Sequence, residues 1–392
     1  MTMKRTIFDK VRFNNGYEMP QYSIGPDVDD SSQDAALVTG EIDGYVAPTY
    51  KQFLELMDTS IECGYRSFDS GARYGTEKPL GDYFKSCGLA RDELFITTKV
   101  NNKMHGYDNT MRDFENSYKS IGLDYVDLYL IHCPVPMFGL YEDTWKAFEE
   151  IYKSGLVKAI GVSNFTVQQL YDLSDISDIV PVVNQREQTP FYVQANLIAY
   201  EKRHGILQQS YSPLGQGKFA KDPRLQWIAD KYEKTVAQVI LRWHLQKGFM
   251  CVTSSTKTSR IRQNTDIFDF ELTQEDMAYI STLNHGERVW HDPSRFQGTV
   301  AHMTVEKELR RYIQKEIDLL SVQDEEKEQI LSDINICLQQ KDVDDTLDYV
   351  MYCFYRAEAK GGRGADITDR AVTEAAAVAK ELVKKQRRDN DR

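Results

Sequence analysis

The chain has 392 residues, 41% of them hydrophobic, and a formal net charge of −12. That length supports a large core and a second, smaller domain, while the acidic balance argues against nucleic acid or an anionic membrane as partner. A charged N-terminus with no apolar run behind it predicts no signal peptide, and no uninterrupted apolar run approaches the length of a membrane span.

Taken in chain order, two alternating runs around Asn14-Asn15-Gly16 predict a β-hairpin. The run "PQYSIG" reads as the first strand of a longer series, and the polar stretch from Pro26 to Pro48 reads as an exposed loop. From Tyr50 the pattern becomes regular. Helical spacing in "YKQFLELMDTSIECG" is followed by a strand in "RSFDS", a helix in "TEKPLGDYFKSCG" and a strand in "ELFITTKV". The same alternation runs through the strands "VDLYLIH", "VKAIGVSN", "VPVVNQRE", "ILQQSYSP" and "FMCVTSS", with helices between them, many stopped by glycine. Repeated βα alternation implies a parallel sheet buried on both faces. About eight such units over about 250 residues is the size of a closed βα barrel. A doubly wound sheet would fit the alternation, but it is expected to carry a G-x-G-x-x-G turn after a strand, and none is present.

The fold class expected is therefore α/β, a (β/α)8 TIM barrel with an N-terminal β-hairpin over residues 1–302. Residues 303–392 lose the strands and read as an all-α C-terminal extension, with stripes such as Val305, Leu309, Tyr312, Ile313 and Ile317 on one helix face. Its role stays open between self-association and docking of a protein partner. The six cysteines (Cys63, Cys87, Cys133, Cys251, Cys337 and Cys353) form no C-x-x-C pair, so neither a metal site nor a disulfide framework is expected, and reduced thiols in a cytoplasmic protein are the simplest reading.

Four residues fall at successive strand ends, where a βα barrel carries its working groups. They are Asp69, Tyr74 in the turn just beyond it, Lys99 and His132. A tyrosine titrates near pH 10, and a neighbouring ammonium favours its phenolate. Asp69 can hold Lys99 in its charged state, and His132 can orient a carbonyl oxygen. Together they describe proton donation to an oxygen gaining negative charge, the chemistry of carbonyl reduction with hydride from a nicotinamide. Each residue alone has a structural explanation, and the combination makes the case. A barrel hydrolase using Asp69 would need a second placed carboxylate or a metal cluster, and neither is evident.

The motifs "GYRSFDSGARYGTE", "ITTKV", "DLYLIHCPVP", "GLVKAIGVSNF", "VVNQ", "YSPLGQG" and "SRIRQN" occur in this order. Between about Thr6 and Gly298 the chain resembles the aldo-keto reductase superfamily, whose barrels bind NADPH and reduce aldehydes and ketones. The resemblance implies Tyr74 as general acid, tuned by Asp69 and Lys99, and His132 as the residue that orients a small-molecule carbonyl substrate. It implies Ser163, Asn164 and Gln185 as holders of the nicotinamide carboxamide and Tyr211 as the stacking aromatic. Ser212 and Leu214 then meet the pyrophosphate, while Ser255, Arg260 and Asn264 meet the adenosine end, with Arg260 at the 2′-phosphate.

The chain departs from the family pattern in places. Ser254-Ser255 stands where Lys-Ser is usual, with Lys257 close by, so NADPH is expected with NADH as an open alternative. Cys133 and Pro26-Asp27 replace large aromatics, which predicts a wider and more polar pocket. The helical extension is also extra, and it keeps open an alternative function as a cofactor-sensing accessory subunit.

Overall fold

The computed structural model describes residues 5–26, 48–135 and 139–290. Asp27, most of the Pro26–Pro48 loop, Cys337, Cys353 and the extension 303–392 lie outside these residues. The chain opens with an antiparallel hairpin, β1 (Lys10–Arg12) and β2 (Glu18–Pro20), turning at Asn14-Asn15-Gly16 as the Asn-Gly signal predicts. Eight further strands follow: β3 (Tyr22–Ile24), β4 (Ser67–Asp69), β5 (Phe95–Val100), β6 (Val126–Ile131), β7 (Val157–Ser163), β8 (Val183–Glu187), β9 (Leu207–Tyr211) and β10 (Met250–Thr253). They pair in parallel and in sequence order, and β10 closes the ring on β3 through Cys251 opposite Tyr22.

The helices between them are α1 (Tyr50–Glu62), α2 (Glu77–Phe84), α3 (Tyr107–Ile121), α4 (Tyr141–Lys153), α5 (Val167–Ile176) and α6 (Ala195–Arg203). After β9 come α7 (Pro223–Lys231) and α8 (Val236–Gln246), and after β10 come α9 (Thr258–Thr265) and α10 (Gln274–Ser281). Their starts are encoded locally. Thr49, Thr166 and Thr235 form reciprocal capping boxes with Gln52, Gln169 and Gln238, satisfying backbone donors that a helix start leaves unpaired. Among the described residues no helix is long and apolar enough to cross a membrane.

The two-residue period of each strand sorts its side chains. Phe68, Ile96, Tyr129, Ile160 and Val162 face the helices and build the outer apolar layer. Phe95, Leu128, Leu130, Ala159, Val183 and Met250 fill the barrel interior together with Phe13 and Met19 of the hairpin. Since Phe95, Val183 and Met250 begin their strands, the hairpin plugs the N-terminal end of the barrel. Burial thus closes one mouth and leaves the C-terminal mouth for polar side chains.

Helices α2 and α3 approach through Gly81, where a Cβ would fall 1.9 Å from the carbonyl oxygen of Ile121. Gly81→Ala is therefore expected to cost about 1–3 kcal/mol of stability by overpacking. A lowered urea midpoint checks this. An unchanged midpoint would show that the close approach is not required.

Candidate functional site

Asp69 ends β4, Lys99 is the penultimate residue of β5, and His132 follows β6. All three continue the inward-facing series of their strands, so the barrel's period carries them to the open mouth. Lys99 is wholly buried, and its ammonium bonds the Asp69 carboxylate and donates to the Ser70 carbonyl at 2.7 Å. Burial alone would discharge such an amine. Here the Asp69 carboxylate and the Tyr74 oxygen outweigh it, and the Lys99 pKa ends above its ordinary value.

Tyr74 is delivered by a tight turn. Its amide donates to Gly71 O at 2.8 Å, Ala72 N donates to Lys99 O at 3.0 Å, and the Ser70 and Thr76 hydroxyls meet at 2.7 Å. Gly71 lies beneath the ring, and a Cβ there would meet Tyr74 at 3.3 Å and Lys99 Cβ at 3.5 Å. The Lys99 ammonium lies 4.8 Å from the ring centroid. The Tyr74 hydroxyl and His132 Nε2 are 2.9 Å apart, within hydrogen-bond distance. Burial raises the Tyr74 pKa, and the Lys99 charge acts against that rise without reversing it. The lowering expected from the ammonium is thus a partial compensation, and the phenol stays protonated at neutral pH. Burial, and then the charges of Lys99 and Arg73, push His132 well below the ordinary histidine range, so its ring is neutral.

Ser163, Asn164, Gln185 and Tyr211 join the same network. Asn164 adopts a left-handed backbone, φ 66°, which asparagine tolerates better than most residues. From there its Nδ2 donates to His132 O and Ser163 Oγ, both at 3.0 Å, and its Oδ1 accepts from the Tyr211 hydroxyl at 2.8 Å. Gln185 Nε2 donates to Asp69 Oδ2 at 2.7 Å and to Gln209 Oε1 at 2.8 Å.

Ser212, in the turn after β9, has φ 47°, and its Oγ accepts from Trp290 Nε1 at 2.7 Å. Leu214 packs against the apolar cluster that contains Ile261 of α9, which ties this loop to the next unit. That unit carries Ser255, Arg260 and Asn264. Ser255 Oγ accepts from Lys257 N at 3.1 Å. Arg260 is exposed on the first turn of α9, and Asn264 is buried, its carbonyl bonded by the Tyr22 hydroxyl at 2.9 Å. Cys133 is buried beside His132.

Three participants escape motif reading. Gln209 is a fully buried glutamine at an inward position of β9. Glu187, at the end of β8, accepts from Val289 N at 2.6 Å and Trp290 N at 3.2 Å, which brings Trp290 to Ser212. A polar residue at an inward strand position is a legible signal for Gln209 and Glu187. Nothing local marks Trp290. Among the described residues, no group of three or more His, Cys, Asp or Glu side chains is arranged to hold a metal ion.

A closed parallel barrel whose open mouth carries a buried Lys–Asp pair, a protonated tyrosine and a neutral histidine defines an oxidoreductase barrel. The model of the Aldo/keto reductase family matches residues 39–285. The chain is 43% identical over 291 residues to a glyoxal reductase of Bacillus subtilis (strain 168), covering 74% of this chain and 98% of that one. It is 41% identical over 251 residues to methylglyoxal reductase DkgA of Escherichia coli O157:H7, covering 63% and 90%. A crystal structure of a Bombyx mori aldo-keto reductase in complex with NADP superposes with a TM-score of 0.64 at 32% identity, covering 73% and 96%. The chain belongs to the aldo/keto reductase family.

Behind His132, His105 is buried and held by burial at a pKa of about 4, against an ordinary 6.5. The unfolded chain therefore takes up a proton near pH 6.5 that the native chain refuses until about 4, and this group lowers stability as pH falls through that window. Asp113 and Glu201, pushed up to about 7 by burial, act with the opposite sign, so the histidine contribution is read as a difference. On acidification from pH 7 to 4.5, His105→Gln is expected to lose about 2 kcal/mol less unfolding free energy than the wild-type protein. Parallel pH profiles from urea titrations would contradict this.

Proposed function

We propose that the chain reduces a small aldehyde or ketone to the alcohol, with hydride from NADPH and the proton from Tyr74. The observation that carries this reading is the Tyr74 hydroxyl at 2.9 Å from a neutral His132, with the buried Lys99–Asp69 pair behind it. Reduction of a carbonyl needs hydride at carbon and a proton at oxygen, and a nicotinamide supplies the first. Tyr74 holds the proton because burial keeps its phenol neutral, and the Lys99 ammonium stabilises the phenolate left after transfer. His132, uncharged, hydrogen-bonds and orients the carbonyl oxygen without competing as an acid. Asp69 keeps Lys99 charged and fixed.

The polar lining fits the cofactor. Ser163, Asn164 and Gln185 offer hydroxyl and amide groups suited to a carboxamide, Tyr211 offers a ring to stack on, and exposed Arg260 offers a guanidinium to a phosphate. Ser255 and Asn264 flank Arg260 on the same βα unit. Because relatives are named for glyoxal and methylglyoxal, small 2-oxoaldehydes are the first substrates to test.

Tyr74→Phe is expected to lower kcat by about 10²–10⁴-fold, the range of general acid catalysis, while NADPH still quenches protein fluorescence at near wild-type concentration. Retained turnover would remove Tyr74 as the acid. Arg260→Ala is expected to raise KM for NADPH about tenfold, the loss of one charge-assisted contact, and leave KM for NADH unchanged. An unaltered NADPH to NADH ratio would show that Arg260 does not read the 2′-phosphate.

A further inference from the structure

We infer that Gln209 is a positioning residue for cofactor binding, acting through Gln185 to present a carbonyl oxygen to the nicotinamide carboxamide. This rests on the reading of the site as an NADPH pocket. The amide nitrogen of Gln185 carries two hydrogens. Both are used inside the barrel, one on Asp69 Oδ2 at 2.7 Å and one on Gln209 Oε1 at 2.8 Å. Two acceptors on one side force the NH₂ end of Gln185 toward them and turn its Oε1 away. Among the described residues nothing donates to that oxygen. A carboxamide NH₂ is the group it suits.

The orientation depends on both acceptors. Asp69 is also bonded to Lys99, so it cannot follow Gln185 freely. Gln209 is wholly buried and is placed by β9, which pairs with β8 so that Gln209 lies opposite Gln185 itself. Its own amide nitrogen reaches the Met19 sulfur at 4.0 Å, so the hairpin that plugs the barrel floor backs it. Removing the Gln209 acceptor leaves one buried N–H of Gln185 unpaired, a costly state that rotation of the amide would relieve. Rotation would carry Oε1 out of its presenting position.

The test uses the full chain, with circular dichroism to verify folding, and measures binding of NADPH and of 2′-phospho-ADP-ribose, which lacks the nicotinamide. Gln209→Met keeps the volume and deletes the oxygen acceptor. Its Kd for NADPH is expected to rise about tenfold, as for one unpaired buried donor, with the Kd for 2′-phospho-ADP-ribose unchanged. Gln209→Glu retains an acceptor oxygen in either protonation state and is expected to bind NADPH as the wild type does. Should the Met variant fail to fold, Gln209→Ala deletes the acceptor without filling the space, and the same split is expected. Equal weakening of both ligands would make Gln209 merely structural, and wild-type NADPH affinity in an acceptor-free variant would overturn its role. A wild-type protein that binds 2′-phospho-ADP-ribose but gains nothing from the nicotinamide would overturn the cofactor reading along with it.

Discussion

The ion pair between Lys99 and Asp69 is the constraint on which the barrel mouth depends. An ammonium with no solvent exposure is tolerated only when a carboxylate and a carbonyl take its hydrogens, and here Asp69 and Ser70 O take them. The pair crosses adjacent strands, with Asp69 registered opposite Thr97, two residues before Lys99. It therefore fixes the inner face of β4 against β5 at the level where Tyr74 leaves the barrel. Ala72 N, bonded to Lys99 O, holds the Tyr74 turn to the same strand. Position and charge thus come from one interaction. The lysine that anchors the turn also stabilises the charge a deprotonated tyrosine would carry.

The remainder of the architecture gives that interaction a dry floor and a wet mouth. Phe13 and Met19 join Phe95, Leu128 and Val183 at the closed end, and on β5, β6, β8 and β9 the inward series changes from apolar to polar toward the mouth. On β6 the inward series is Leu128, Leu130 and His132, and on β5 it is Phe95, Thr97 and Lys99. Burial within the mouth keeps Tyr74 protonated and His132 neutral. The direction of both shifts is a property of the barrel more than of the four side chains.

This separation explains what could be read from the chain alone. The strands, the hairpin and the strand-end positions of Asp69, Tyr74, Lys99 and His132 were legible because period-two alternation and turn chemistry are local. The glycine stop of α3, where Gly122 takes a left-handed backbone, was legible for the same reason. The net direction of the Tyr74 shift was not, since motif reading registers the nearby ammonium and misses the desolvation imposed by the whole barrel. Gln185 reaches Asp69 across 116 residues of sequence, and Gln209 reaches Gln185 only because β8 and β9 pair in one register. Pairings of that kind follow from closure of the ring, which no local window contains.

Trp290 shows the same limit and resolves an apparent conflict at Ser212. That hydroxyl is proposed to meet a pyrophosphate, yet in this structure it accepts from the indole at 2.7 Å. A serine hydroxyl has two lone pairs and a single proton. Accepting from Trp290 uses a lone pair and leaves the proton, which is the group an anionic oxygen requires. The indole also fixes where the serine oxygen lies, and Glu187 fixes the indole by taking two consecutive amides, Val289 and Trp290. Glu187 is itself an inward residue of β8, two positions beyond Gln185. One strand therefore reaches both ends of the proposed pocket, the end proposed for the carboxamide directly through Gln185 and the end proposed for the pyrophosphate through Glu187, Trp290 and Ser212.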